Sequence, residues 1–291
     1  MLILQSFSSV NFYDAKKTIL NDNLLFILKK GMKKIKAAIP SFVTSLNMVC
    51  GVCASVLALQ GETKLAVVLI LMAAVFDFCD GFVARLLHSV SEFGKQMDSL
   101  SDLISFGVAP SVIMYEFAVT NGLFSHYVAL FVLLIAVFSG LRLAKFNIDP
   151  EQTTEFKGLP TPASALFVIS VCYYCKTSES TLAQALSSQA AVIAIVAFVC
   201  IMMVVNLRLF SLKIKSFKIK AIIWQLILVA SLIAFVCLFG VLGLAFTIIF
   251  YVILSIIRNI INRGDSDNDV KTQNFASQPK PRNIETQKHR N

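Results

Sequence analysis

The chain has 291 residues, of which 57% are hydrophobic and 15% charged, with a net charge of +9 and a mean hydropathy of +0.76. This composition excludes an ordinary soluble domain. The basic residues sit in loops and ends rather than in an aromatic-interleaved patch, which points to an anionic membrane surface and no nucleic acid. The apolar runs are about twenty residues long, enough for a helix to cross a bilayer, and no period-two pattern supports a barrel. The expected class is therefore all-α, a polytopic transmembrane helical bundle of about eight spans. The chain has seven cysteines. Cys50/Cys53 and Cys172/Cys175 have CxxC spacing, but neither pair has a second pair or a histidine at ligand spacing, so both read as packing residues.

Residues 1–36 form an N-terminal cytoplasmic or interfacial segment. No early basic region leads into a long apolar core and a small-residue cleavage site, so no secretory signal is expected. An interfacial amphipathic helix is the structured option, and Met32 offers an alternative start. The membrane domain is expected over 37–262, followed by a polar, disordered cytoplasmic tail over 263–291. The first span, about 39–59, carries Ser41, Thr44 and Asn47 at three-residue spacing near one helix face. Hydroxyl and small side chains in that arrangement commonly pack helices together in membranes. The second span, about 64–86, carries Asp77 and Asp80 three residues apart.

The third span is expected from about Asp98 to Val119, with Asp98 and Asp102 four residues apart. Each acid pair projects from one face of its helix. With residues 86–97 serving as a helix end and return, the two helices can run antiparallel with all four acids facing one cleft. Acids within a membrane span are costly and mark functional sites by default. Carboxylate oxygens suit Mg²⁺, Mn²⁺ or Ca²⁺, and two divalent ions would roughly neutralise four acids. Gly81 and Ala84 keep the acid face open, Gly94 allows a turn or a close approach, and Arg85 adds a cation at the mouth. Such a set suits a diphosphate substrate.

The run Asp77-x2-Asp80-Gly81-x2-Ala84-Arg85-x8-Gly94-x3-Asp98-x3-Asp102 resembles the signature of the CDP-alcohol phosphatidyltransferase family at every fixed position. The resemblance covers about residues 34–262, with its motifs concentrated in 40–163. It implies that Asp77, Asp80 and Asp98 ligate two divalent cations, Mg²⁺ or Mn²⁺. Asp102 would then be the general base and touch one metal. It also implies that Gly81, Arg85, Ser91 and the Ser41–Thr44 segment hold CDP-diacylglycerol, with Asn47 beside them. Family members often have Pro-Asn-x-x-Thr-x-x-Asn in the first span, where Ser41 here replaces the first asparagine.

Further along, Pro110 implies a kink in the third span, and the fourth is expected at about 127–143. Asp102-x2-Ser-Phe-Gly-x-Ala-Pro, Arg142-Leu-Ala-Lys145-Phe-Asn and Phe156-Lys-Gly-Leu-Pro-x-Pro-Ala together resemble the phosphatidylserine synthase branch of that family. Lys145 stands where the branch usually has arginine. The branch implies transfer of the phosphatidyl group to L-serine, releasing CMP. Arg142 and Lys145 are candidates for the serine carboxylate, and anchoring to headgroups is the plainer reading of both. A sibling enzyme with another acceptor and an ion transporter with an acid-lined pathway are the competing functions.

Four more spans are expected near 161–175, 188–207, 221–239 and 241–261, the last two reversing at Gly240–Gly243. Lys and Arg placement over eight spans puts both termini and the acids on the cytoplasmic side of the cytoplasmic membrane. Lys64 and Lys176 fall on the other side. The family resemblance adds a homodimer as an expected assembly.

Overall fold

The computed structural model describes residues 36, 38–87, 89, 91–149, 156–205, 207–209 and 219–258. The expectations for 1–35 and for the tail after 258 lie outside the described residues. In chain order the helices are α1 (Ala38–Leu59), α2 (Thr63–Leu86), α3 (Glu92–Thr120) and α4 (His126–Ile148). They continue with α5 (Thr161–Thr177), α6 (Thr181–Leu186), α7 (Gln189–Val204), α8 (Ile219–Phe239) and α9 (Leu242–Arg258). Among the described residues the extended structure is one two-residue antiparallel pairing, β1 (Phe156–Lys157) with β2 (Arg208–Leu209).

Each of the eight expected spans falls on a helix. Four of these, α1 to α4, are long and apolar enough to cross a membrane. Shorter apolar helices occupy Gln189–Val204, Ile223–Phe239 and Leu242–Arg258. The short α6, capped by the Ser180 hydroxyl accepting from the Ala183 N–H, has no counterpart in the sequence reading.

The third helix begins earlier than its hydropathy suggests, at Glu92 rather than near Asp98. Ser91 sets the start: its backbone is extended and its Oγ accepts from the Gly94 N–H at 3.0 Å. Glu92 in the first turn complements the helix dipole. The return from α2 is therefore only residues 87–91, and both Asp98 and Asp102 stand well inside α3.

Helix α3 is the axis of the bundle. Of its apolar window 61% is buried, against 28–33% for the other three long helices. It packs against α4 and α5, and α4 packs in turn against α7. Phe106, Ile113, Met114 and Phe117 of α3 meet Ile135 of α4, Val168 and Ile169 of α5 and Val199 of α7 in this core. Leu103–Val108 of α3 is wound as a π-helix just before Pro110, which has no N–H to continue the ladder. The wider turn shifts the phase of the helix. The acid-bearing half can then face α1 and α2 while the lower half faces α4 and α5.

Close crossings need small residues. A Cβ on Gly51 of α1 would sit 2.6 Å from the Ser105 Cα of α3, and one on Gly107 would sit 2.9 Å from the Ser139 Cβ of α4. Hydroxyls secure the α1–α3 crossing: Ser101 Oγ donates to the Thr44 carbonyl at 3.1 Å and Ser105 Oγ to the Asn47 carbonyl at 2.9 Å. The reversal between α8 and α9 occurs at Gly240, whose φ of +58° favours glycine.

Candidate active site

The acids come from two helices held by a third. Thr44 of α1 donates to Asp80 Oδ2 of α2 at 2.5 Å, with the Pro40 carbonyl as a second acceptor at 3.0 Å. Since α1 and α2 are joined only by residues 60–62, they are antiparallel neighbours, and this bond sets their register. One turn deeper, Asp77 of α2 meets Asp98 and Asp102 of α3. One carboxylate oxygen from each of the three lies within 4.8 Å of the other two. Asp80 is buried, 5% exposed, and stands beside this trio with its carboxylate on Thr44.

Above the trio an open cleft separates the ends of α1, α2 and α3. Ser41 and Thr44 line one wall, Gly81, Ala84 and Arg85 a second, and Ser91, Gly94 and Asp98 a third. The cleft thus gathers five of the six residues expected to hold a lipid nucleotide. The sixth, Asn47, does not line it: it is fully buried, and neither atom of its amide has a hydrogen-bond partner. Three further lining residues carry no sequence expectation of binding: Pro40, Ser89 and Lys95. Lys95 adjoins the motif glycine, and that adjacency was the signal available for it.

Gly81 is part of the cleft wall. A Cβ added there would meet no protein atom within 4 Å. Packing between helices therefore does not demand this glycine, and the cleft wall is open at that point.

Arg142 of α4 is buried, 7% exposed, and donates through Nη1 to Thr161 Oγ1 of α5 at 3.0 Å. It lies within electrostatic reach of Asp102. Lys145, one turn further along α4, is exposed. Of the two candidates for an acceptor carboxylate, Arg142 is the buried one that interacts with Asp102. Asn147, from the same motif, donates to Ser99 Oγ at 2.8 Å and ties the end of α4 to α3.

The residues present fit divalent cations. Three carboxylates this close repel one another inside a bundle, and among the described residues none of them makes an ion pair. Asp102 Oδ1 is buried without a hydrogen-bond partner. Hard oxygen donors so arranged suit Mg²⁺ or Mn²⁺.

The family profile for CDP-alcohol phosphatidyltransferases matches residues 37–201, which span all of these groups. The chain belongs to that family. Among curated relatives, the archaetidylserine synthase of Methanothermobacter thermautotrophicus is 39% identical over 143 residues, covering 47% of this chain and 60% of the relative. The CDP-diacylglycerol–serine O-phosphatidyltransferase of Mycobacterium leprae is 41% identical over 138 residues, covering 45% of each chain. The enzyme of that name from Bacillus subtilis is 35% identical over 131 residues, covering 45% of this chain and 73% of its own. The chain thus spans about half the length of the archaeal and mycobacterial relatives.

Proposed function

We propose that this phosphatidyltransferase moves the phosphatidyl group of CDP-diacylglycerol to L-serine, giving phosphatidylserine and CMP. The observation that carries the reading is the convergence of Asp77, Asp98 and Asp102 at the foot of a cleft lined by Gly81 and Arg85. The names of the serine-transferring relatives support the acceptor.

In this reading the cleft holds the nucleotide and diphosphate, with Ser41, Thr44 and Ser91 offering hydrogen bonds. Arg85 and Lys95 are both exposed cations at its rim and draw in the phosphates. Asp77, Asp98 and Asp102, with Asp80 beside them, would hold two divalent cations. When bound, these ions polarise the diphosphate and offset charge on the leaving CMP. Asp102 takes the proton from the serine hydroxyl as that oxygen bonds to the phosphorus bearing diacylglycerol. The bond from that phosphorus to CMP breaks, and CMP leaves with the electron pair. Arg142 receives the serine carboxylate.

The setting belongs to the same proposal. Eight spans, cytoplasmic termini and a site facing the cytoplasm fit the placement of Lys and Arg. The bilayer supplies the lipid donor, a homodimer is the expected assembly, and no nucleic-acid partner enters.

The test is CMP release from CDP-diacylglycerol in detergent micelles, with serine and Mg²⁺ or Mn²⁺ added or withheld. Release is expected only with both. Asp102→Asn should lower it by about 10²- to 10⁴-fold, the usual weight of a general base. Release with another alcohol but not serine would replace the acceptor. No release with any acceptor, alongside ion flux in proteoliposomes, would favour a transporter.

A further inference from the structure

The Arg142 guanidinium is held in an unusual state for a buried cation. Its Nη1 donates to Thr161 Oγ1 at 3.0 Å, and its carbon lies 5.7 Å from the Phe146 ring centroid. Its Nε is buried with no hydrogen-bond partner. Asp102, on the neighbouring helix, likewise has a buried oxygen with no partner. The two groups interact electrostatically, yet no hydrogen bond or ion pair joins them. Each unpaired buried group is costly, so both call for a partner, and the bond to Thr161 fixes the direction in which the guanidinium points.

We propose that Thr161 is a positioning residue: its hydroxyl oxygen anchors Arg142 away from Asp102, leaving the Nε edge free for the acceptor's carboxylate. This deepens the serine-acceptor reading and rests on it. A β-hydroxy amino acid carries both complements, a hydroxyl that donates to Asp102 and a carboxylate that accepts from Arg142. Without the anchor, Arg142 swings onto Asp102, occupying the base and removing the carboxylate contact together.

Thr161 is itself rigidly placed. It opens α5 and is fully buried. The segment before it is clamped to the end of α7: the Leu159 N–H donates to the Met202 carbonyl at 2.8 Å, and the Gly158 N–H to the Leu207 carbonyl at 2.9 Å. Gly158 has φ +79°, and a Cβ there would lie 2.5 Å from the Met203 carbonyl oxygen. That backbone gives the anchor a fixed position independent of Arg142.

The test compares wild type, Thr161→Val and Thr161→Ser in full-length protein, with steady-state kinetics varied separately in serine and in CDP-diacylglycerol. Losing a hydrogen bond to a charged group predicts that Thr161→Val lowers kcat/KM for serine by roughly ten- to hundred-fold. The KM for CDP-diacylglycerol should stay within about twofold, and Thr161→Ser should restore most of the loss. If Thr161→Val does not fold, Thr161→Ala gives the same comparison. A serine kcat/KM within about twofold of wild type, or a parallel rise in both KM values, would overturn the positioning role. Wild-type protein that does not use serine would overturn the acceptor reading itself, and the positioning role with it.

Discussion

Gly81 separates packing from function more cleanly than any acid in the site. Its missing Cβ faces no protein atom within 4 Å, in the wall of the cleft. In a helix interior, glycine is less favourable than alanine by roughly 0.5–1 kcal/mol. Gly81→Ala should therefore leave the melting temperature unchanged or raise it slightly, while KM for CDP-diacylglycerol rises. Gly81→Leu should abolish turnover in protein that still folds. Full activity in Gly81→Leu would mean that no ligand approaches this wall. The motif spacing made the acids and this glycine legible in sequence, because helical periodicity tells which residues share a face. It does not tell depth. Asn47 shares a face with Thr44 yet lies below the cleft, and Asp80 shares one with Asp77 yet is bonded to Thr44 beside the trio.

The elements were legible where hydropathy is unbroken. Apolar runs located eight helices, and the reversal at Gly240 follows from a length that no single span needs. The start of α3 was hidden because Glu92, Lys95 and Gln96 look like loop, although a capped first turn in water tolerates them. The contact between Arg142 and Thr161 was hidden for a different reason: it joins two helices through a loop, and no periodicity relates them. Helix α1 shows how function depends on an element that carries none of the acids. Its register on α3 rests on Gly51, where a Cβ would lie 2.6 Å from the Ser105 Cα. Backbone cannot yield there as a side-chain tip could. Gly51→Leu should push α1 off α3 and cost about 1–3 kcal/mol, the usual range for overpacking. Because Thr44 moves with α1, activity should fall with stability. Thermal melts and CMP release measured on the same preparation check this, and a stable, active Gly51→Leu would show the crossing to be slack.

At the scale of the molecule, the two ends of the bundle differ in charge and in purpose. One end holds the cleft with Ser41, Arg85 and Ser91. The other is tied by a polar knot across three helices. Lys176 of α5 pairs with Glu116 of α3 at 2.5 Å and donates to Thr63 of α2 at 2.8 Å, while Thr120 donates to Glu116 at 2.9 Å. Lys176 and Lys64 are the two lysines that sequence counting puts on that side, so Lys and Arg are biased toward the cleft end. That bias predicts that the cleft faces the cytoplasm. Single cysteines can test it. The buried Cys50, Cys172 and Cys200 can stay, and the accessible or half-buried Cys53, Cys79, Cys175 and Cys237 are replaced. In intact cells a membrane-impermeant maleimide should then label Gln60→Cys and Glu179→Cys at the knot end. It should label Gln96→Cys, near the cleft, only after permeabilisation. The opposite pattern would place the acids outside, away from cytoplasmic nucleotide. Labelling of Gln60→Cys without Glu179→Cys would break the eight-span path between α2 and α5, since the knot holds Thr63 and Lys176 at one end of the bundle.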